Sequence, residues 1–266
     1  MSEKAKFRSE AELCATFISQ LPEGWTAYPE TAGFDILLSR DADGAQVGIE
    51  AKLVLNAKVI EQAVPHDNWW HADGEQPDFR AALVPWGCAG GLSGVCGLLG
   101  ITVIQMASKE LYQSWYEGSR RKMRPELPKV GMSTWEERDW RDWCPAKRCT
   151  LPDYIPDVTA GASAPVQLSD WKIRAIKLVV LLDRRGYVTR ADFKHLQLDP
   201  GRWIYSGRWL VHGAVKGQFV RCNETPDFRT QHPVNFEQIA ADFEKWSPVQ
   251  IRADHLATPE HQERML

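Results

Sequence analysis

The sequence GFDILLSRDADGAQVGIEAKL, residues 33–53, contains two apolar runs with a short polar turn between them. The first run is FDILL at residues 34–38, and the second is QVGIEAKL at residues 46–53. The residues between them, DADG at 41–44, are of the types that favour a tight turn between antiparallel strands. The stretch therefore predicts a β-hairpin.

Three side chains of this hairpin are typical of a site for a divalent cation. Alternate residues of a strand share a face, so Glu50 and Lys52 project together, and strand pairing brings Asp35 near both. Two converging carboxylates bind a hard cation through oxygen, and we expect Mg²⁺ (or Mn²⁺), with the carbonyl of Ala51 as a third ligand. The Lys52 ammonium is suited to orienting a water and to offsetting charge on a phosphoryl oxygen.

Elements of an α/β domain are predicted on both sides of the hairpin. Ser9 is placed to cap a first helix that has Glu12 at its third position. Asn56 is placed to cap the helix that follows the hairpin. The remaining predicted elements are strands at 25–30, 80–85 and 101–105 and a short helix at 92–99. This order predicts a mixed central sheet flanked by helices, complete by about residue 107.

GFDILL followed by VGIEAKL resembles the motif of the PD-(D/E)xK phosphodiesterase superfamily, which has the restriction-endonuclease-like fold. The resemblance covers residues 8–107, where the predicted helices and strands follow the order of that family. It implies that Asp35 and Glu50 are metal ligands and that Lys52 is the catalytic lysine of a nuclease. Phe34 stands where the name of the motif has proline, which leaves the subfamily open.

The resemblance also implies supporting residues on the two predicted helices. Gln62, with Lys58 one turn earlier, matches the position at which several branches of the superfamily have a supporting Gln or Lys. Glu12 on the first helix matches an accessory acidic position of other branches. The alternative is that Gln62 and Lys58 are plain exposed helix residues and that Glu12 only caps its helix.

The central motif also has a non-catalytic interpretation, in which its charged residues form only an ion pair. An acidic residue two positions before a lysine is common by chance, and on an exposed strand it usually forms a solvated ion pair. Here, however, the strand around Glu50 is otherwise apolar, and Asp35 lies between Phe34 and Ile36. An unpaired charge in such surroundings is costly, which favours a functional site.

The rest of the chain divides into a Trp-rich extension and linker at residues 108–168 and a second domain at residues 169–266. This domain begins with an apolar-striped helix, and Thr189 is placed to cap a second, shorter helix. A third helix is predicted after Asp199-Pro200, and a hairpin is predicted over residues 209–222. Three helices followed by a hairpin are the outline of a smaller winged-helix-like domain.

Charge is distributed unevenly along the chain, although the net charge is only −3. Residues 1–107 carry 7 basic against 14 acidic residues, whereas residues 172–229 carry 12 basic against 5 acidic residues. A basic domain joined to an acidic, metal-binding one is typical of proteins that bind a polyanion. We therefore expect DNA as a partner, contacted by Arg202, Arg208 and Lys216. The alternative is a winged helix used for protein contacts or dimerisation.

Composition excludes several classes of protein. With 44% hydrophobic and 25% charged residues among 266, the chain is neither a disordered tail nor a disulfide-stapled miniprotein. No apolar run approaches the ~18 to 20 residues of a membrane span, and the N-terminal residues have no apolar signal core. The six cysteines are scattered, so we expect reduced thiols in a soluble cytoplasmic protein with no membrane partner.

The sequence thus favours a Mg²⁺-dependent DNA nuclease, either an endonuclease or an exonuclease, in which a water attacks the phosphodiester. Two alternatives keep the fold without catalysis. One is a nucleic-acid-binding regulator, and the other is an interaction protein, such as a phage or mobile-element factor that acts on a host enzyme. The intact Asp35, Glu50 and Lys52 favour the enzyme. Cleavage of both DNA strands requires two sites, which would favour a homodimer.

Overall fold

The computed structural model describes residues 5–64, 74–114, 122–131, 138–162, 167–206 and 209–248. The chain divides into two compact units, Met1–Gln167 and Leu168–Leu266. Within the described ranges, no helix is long and apolar enough to cross a membrane.

The first unit contains a mixed sheet of six described strands, flanked by helices. Its strands, in sheet order, are β1 (Trp25–Thr31), β2 (Phe34–Arg40), β3 (Gln46–Ala51), β4 (Phe79–Pro85), β5 (Ile101–Met106) and β6 (Met123–Arg124). Its helices are α1 (Glu10–Ser19), α2 (Ala57–Ala63), α3 (Ser93–Leu98) and α4 (Lys109–Ser114), with a 3-10 turn at Gly90–Leu92. β1 to β3 are antiparallel, β3 to β5 are parallel, and β6 is antiparallel to β5. The predicted hairpin and mixed sheet are confirmed.

Side-chain caps set the start of the two helices next to the hairpin. The hydroxyl of Ser9 accepts a hydrogen bond of 3.1 Å from the N–H of Glu12, and the Glu12 carboxylate accepts one of 2.6 Å from the N–H of Arg8. At α2, Asn56 Oδ1 accepts a hydrogen bond of 3.1 Å from the N–H of Val59. Both caps satisfy backbone donors that the first turn of a helix leaves unpaired, as the sequence predicted.

Alternation along the strands separates two apolar layers, one on each face of the sheet. Ala81 of β4 belongs to the layer that contains Phe17 of α1. Ala82, the next residue, belongs to the layer that contains Val59 of α2 and Cys96 of α3. All five side chains are fully buried. The central strands are therefore covered on both faces, and a charged group placed on them needs a partner.

Residues 138–162, which the sequence suggested as part of a linker, pack against the first sheet. The ring of Trp140 meets that of Phe79 edge-on, with centroids 5.8 Å apart. Gln46 Nε2 donates to the carbonyl of Cys149 at 2.8 Å, and the N–H of Cys149 donates back to Gln46 Oε1 at 2.9 Å. The first unit therefore includes this segment, whereas the sequence suggested a core that is complete by about residue 107.

The second unit combines helices with a small antiparallel sheet in the order β7-β9-β8. Its strands are β7 (Val188–Thr189), β8 (Leu210–His212) and β9 (Gln218–Arg221). Its helices are α5 (Asp170–Arg185), α6 (Arg190–His195), α7 (Phe228–Gln231), α8 (Pro233–Ala241) and α9 (Phe243–Trp246), with a π-helix at Gly201–Ser206. The first two predicted helices and the hairpin are confirmed, and the π-helix lies where a third helix was predicted.

Local signals again set the ends of these helices. Ser169 Oγ accepts a hydrogen bond of 3.3 Å from the N–H of Lys172 at the start of α5. Gly186 ends α5 with a φ of 81°, a left-handed conformation that favours glycine. At α6, where Thr189 is the predicted cap, the Asp192 carboxylate accepts a hydrogen bond of 2.6 Å from the N–H of Thr189, which completes a capping box.

Aromatic rings form the centre of the second unit. Trp203 of the π-helix is fully buried. Its ring centroid lies 6.1 Å from that of Phe193, 5.3 Å from that of Trp209 and 6.4 Å from that of Phe228. Burial of Trp203 anchors the short π-helix, while Arg202 before it is exposed.

Candidate active site

Asp35 and Glu50 lie where the pairing of β2 and β3 ends. The last recorded pair is Ile36 opposite Ile49, and Asp35 and Glu50 are the next facing positions in this register. In place of a further backbone pair, the N–H of Ala51 donates a hydrogen bond of 2.8 Å to Asp35 Oδ2. The end of the hairpin thus holds an acidic side chain on each strand, as the motif predicted.

Lys52 follows directly on the last residue of β3. Its N–H donates to the carbonyl of Leu83 at 2.9 Å, which continues the backbone hydrogen bonds from β3 to β4. Its Nζ lies 4.0 Å from Asp35 Oδ2 and 2.8 Å from Glu10 Oε2. The structure therefore brings Asp35 and Lys52 together, and it adds Glu10 of α1 as a direct partner of the ammonium.

The two carboxyl groups are shielded from water to different extents, and the Asp35 side chain is 17% exposed. Glu50 is only 4% exposed. Burial raises its pKa to about 8, and the negative charge of Asp35 adds to this effect. Burial also raises the pKa of Asp35, although the N–H of Ala51 and the charge of Lys52 lower it in part. Two neighbouring carboxylates in a low-dielectric site repel each other, and a bound cation would relieve that repulsion.

Lys52 keeps its positive charge in the same surroundings. Burial alone lowers the pKa of its ammonium. The hydrogen bond to Glu10 and the charges of Asp35, Glu10 and Glu50 outweigh this effect and hold the pKa of Lys52 above its ordinary value. The site therefore contains a fixed ammonium beside carboxyl groups of which at least one, Glu50, is protonated at neutral pH.

Glu10, Asp35 and Lys52 border an open cleft of about 770 Å³, whereas the buried Glu50 is not among its lining residues. The residues that line it are Ser9, Glu10, Ala11, Asp35, Lys52, Leu53, Lys58, Gln62, Gly161 and Ala162. Gln62 Oε1 is buried and has no hydrogen-bond partner among the described residues. An unsatisfied buried acceptor in a polar cleft calls for a donor from water or from a ligand. Gln62 and the exposed Lys58 both line the cleft, and their supporting role stays a prediction.

Glu10, and not Glu12, is the acidic residue of α1 at the cleft. Glu12 is exposed and uses its carboxylate in the helix cap, which is the alternative considered for it above. Glu10 lies three and four residues before the buried Leu13 and Cys14, and so it shares their face of the helix. That spacing was the available signal, because the apolar face of α1 points toward the sheet.

Glu30 is a second acidic residue near the site that the sequence did not single out. It has a φ of 49° at the end of β1, and its Oε1 accepts a hydrogen bond of 2.8 Å from the N–H of Gly161. Burial raises its pKa, and that hydrogen bond lowers it in part. Gly161 itself has no room for a side chain, because a Cβ would lie 2.9 Å from Cys14 Sγ and 3.2 Å from the backbone of Glu10.

The residues present fit a hard cation through oxygen donors. Among the described residues, no group of three or more His, Cys, Asp or Glu side chains is arranged to hold a metal ion. The donor set implied here is smaller: two carboxylates, from Asp35 and Glu50, and the carbonyl of Ala51. The raised pKa of Glu50 and the unpartnered Gln62 Oε1 are compatible with such a donor set, because a cation favours the ionised carboxylate and a cation-bound water can donate to Gln62.

The predicted DNA contacts of the second unit lie on different elements. Arg202 is exposed on the π-helix, with its guanidinium 5.5 Å from the ring centroid of Trp171 and 5.8 Å from that of Trp209. Lys216 is exposed in the turn between β8 and β9. Arg208 lies outside the described residues.

The high pKa of Glu50 predicts that stability falls as pH rises in metal-free buffer. An unfolded glutamate ionises near 4.5 and folded Glu50 near 8, so the folded state binds the extra proton between these values. Unfolding free energy should therefore decrease from pH 5 to pH 8, by roughly 2 to 5 kcal/mol from this group. Urea denaturation in EDTA at the two pH values measures it. Glu50→Gln should lose this part of the dependence, and an unchanged dependence in that variant would contradict the assignment.

Comparison of the chain with models of protein families, with curated proteins and with solved structures finds no match. The function proposed below therefore rests on the residues of the cleft and of the second unit.

Proposed function

We propose that this protein is a Mg²⁺-dependent DNA phosphodiesterase, a nuclease with a restriction-endonuclease-like first unit and a winged-helix-like second unit. The observation that carries the proposal is the placement of Asp35 and Glu50 as facing positions at the end of β2 and β3, with Lys52 Nζ 4.0 Å from Asp35 Oδ2. The order α1, β1 to β3, α2 and β4, with β4 parallel to β3, supports the fold assignment.

Asp35, Glu50 and the carbonyl of Ala51 would hold the cation, Mg²⁺ or Mn²⁺. When bound, it would polarise a phosphoryl oxygen and make a water more acidic. The support for this role is electrostatic. Glu50 is buried beside Asp35 and is protonated at neutral pH, so binding requires this chain to release a proton from Glu50. Both carboxylates would then be charged and able to act as ligands.

Lys52 would act on the reacting groups, and Glu10 would keep it in position. The Lys52 ammonium donates to Glu10 Oε2 at 2.8 Å, which fixes the side chain and keeps it protonated. A fixed ammonium next to the phosphoryl group orders the attacking water and stabilises negative charge that grows in the transition state. Gln62 Oε1, which has no partner among the described residues, would accept a hydrogen bond from that water or from the DNA.

The second unit would bind the DNA. Residues 172–229 carry 12 basic and 5 acidic residues, and Lys216 is exposed in the turn of the hairpin. The order of α5, β7, α6, the π-helix, β8 and β9, with β9 between β7 and β8, supports a winged-helix-like arrangement. In that arrangement Arg202, Arg208 and Lys216 would contact phosphates, which fix the position of a protein on DNA.

The test is incubation of the purified full chain with supercoiled plasmid, linear duplex, single-stranded and branched DNA, with Mg²⁺ or with EDTA. We expect cleavage of at least one form of DNA with Mg²⁺ and none with EDTA. Nicking of closed plasmid would identify an endonuclease, and cleavage that needs a free end would identify an exonuclease. Binding of DNA without cleavage of any form would instead support the non-catalytic regulator.

A further inference from the structure

Tyr205 presents an aromatic ring to solvent at the end of the π-helix of the second unit. It is 58% exposed. The guanidinium of Arg190, at the start of α6, donates a hydrogen bond to the Tyr205 hydroxyl and lies 5.8 Å from the ring centroid. The ring is thus held by its hydroxyl end while it remains open to solvent. A ring held in this way offers an apolar face on which a partner can stack.

Arg202 is a second exposed side chain of the same π-helix that contacts aromatic rings. It is exposed, three residues before Tyr205, and the fully buried Trp203 between them faces the core. Its guanidinium lies 5.5 Å from Trp171 and 5.8 Å from Trp209, two half-buried rings whose centroids are 6.3 Å apart. Cation–π contact fixes the plane of this guanidinium against the two indoles.

The charges of these arginines are available to an anionic partner. Among the described residues, the ion pairs of the second unit use Arg185, Arg221, Arg229 and Lys245, and neither Arg190 nor Arg202 takes part in one.

The acidic residue next to the π-helix, Asp199, has its Oδ1 bonded to the N–H of Gly201 at 3.0 Å. This side-chain to backbone hydrogen bond stabilises a local turn. Among the described residues, Asp199 forms no ion pair with Arg190 or Arg202. Two contact groups lie on and beside the π-helix: Arg202 with Trp171 and Trp209, and Arg190 with Tyr205. Together these cationic and aromatic residues are called here the arginine–aromatic surface.

We infer that the arginine–aromatic surface binds unpaired DNA, with a base stacked on Tyr205 and phosphates beside Arg190 and Arg202. The inference goes beyond the proposed function, from which it takes DNA as the partner, by naming the form of DNA that the second unit prefers. Interleaved aromatic rings and guanidinium groups are the chemistry of single-strand binding, since each unpaired base exposes a face that can stack.

A DNA duplex has few base faces that could stack on this surface. Its bases are stacked on one another, and their faces become available only after unstacking, which costs a few kcal/mol per base. The two arginines could still contact the phosphates of a duplex, but the exposed ring of Tyr205 would gain nothing from a stacked base. Tyr205 is therefore the residue that separates single-strand binding from general attraction to phosphate.

The test measures binding by fluorescence anisotropy of labelled oligodeoxythymidine of about 20 nucleotides and of a duplex of equal length, with the full chain in EDTA. Tyr205→Ala should weaken single-strand binding by about 5- to 150-fold, the range for loss of one stacked base. Duplex binding should change little. Tyr205→Phe keeps the ring but loses the hydrogen bond from Arg190, so it should lose much less single-strand affinity than Tyr205→Ala.

The matched control is Lys245→Ala, which removes one positive charge from an exposed pair with Asp242. It should change the two affinities equally and weakly. Because Tyr205 is exposed, thermal unfolding should show that Tyr205→Ala folds normally. Equal losses for single strands and duplex, no loss in Tyr205→Ala, or the same loss in Tyr205→Phe would overturn the inference. Since EDTA prevents cleavage, none of these results depends on whether the protein is a nuclease.

Discussion

Replacement of Lys52 by alanine should lower the rate of Mg²⁺-dependent DNA cleavage by about 100- to 1000-fold, the usual loss when one group that stabilises the transition state is removed. The Lys52 ammonium lies 4.0 Å from Asp35 Oδ2, where it would meet the reacting phosphate, and as a positive group it would not be a ligand of Mg²⁺. The affinity for Mg²⁺ should therefore not fall, because the variant lacks the positive charge of the ammonium, which repels a cation bound nearby. DNA affinity should also be nearly unchanged.

Single-turnover cleavage, together with Mg²⁺ titration of the same variant, measures this separation. Lys129→Ala is the matched control, because Lys129 forms an exposed ion pair with Glu126 and does not line the cleft. It should cleave like the original chain. A Lys52→Ala variant with normal cleavage would place the catalytic group elsewhere, and one that loses Mg²⁺ binding and cleavage together would make Lys52 a structural residue.

The affinity for Mg²⁺ should rise by up to about 100-fold between pH 6 and pH 8 and then level off. Glu50 has a pKa of about 8 without the cation, so binding below that pH requires it to lose a proton. One proton released per ion corresponds to a tenfold gain in affinity per pH unit below this pKa. Isothermal titration calorimetry in two buffers of different ionisation enthalpy measures both the affinity and the proton release.

Glu50→Gln should remove most of this pH dependence together with most of the affinity. The matched control is Glu61→Gln, since Glu61 is exposed on α2 next to Gln62 and does not line the cleft. It should keep the pH dependence of the original chain. Affinity that does not change from pH 6 to pH 8 in the original chain would show that Glu50 is not a ligand.

The parts of the fold that could be predicted from the sequence are those with local causes. The caps at Ser9, Asn56 and Thr189 and the alternation of the hairpin each depend on neighbouring residues, and the structure confirms them. Asp35 and Glu50 could be brought together because a hairpin fixes its register through its turn. The register of the hairpin therefore made it possible to predict both the strand pairing and the two acidic residues of the candidate site.

Long-range packing was not visible in the sequence. Residues 138–162 have no helical or strand period, and they attach to the sheet through contacts such as Trp140 on Phe79 and the two hydrogen bonds between Gln46 and Cys149. The residues in each of these contacts are about 60 to 100 positions apart in the chain. No periodic pattern within one segment predicts which distant segment it will contact. For the same reason the sequence places Gly161 in a linker, whereas the structure packs it against Cys14 and the backbone of Glu10.

The candidate site shows the same limit. Assignment of Glu12 as the accessory acid relied on its position in a motif, whereas the helical spacing to Leu13 and Cys14 favours Glu10. The contact from Glu10 Oε2 to Lys52 Nζ joins residues 42 positions apart and depends on how α1 crosses the sheet. Spacing along α1 could have identified the face, but only the packed structure identifies the partner.

Single-turnover cleavage of labelled DNA by the original chain and by Asp35→Asn, each with Mg²⁺ and with EDTA, tests the proposed nuclease most directly. The amide oxygen of the substituted side chain would be able to accept the hydrogen bond from the N–H of Ala51, so the variant should fold while it loses a charged ligand. We predict Mg²⁺-dependent cleavage by the original chain, none in EDTA, and a loss of at least about 100-fold in Asp35→Asn. No cleavage by the original chain, or equal cleavage by the variant, would contradict the account.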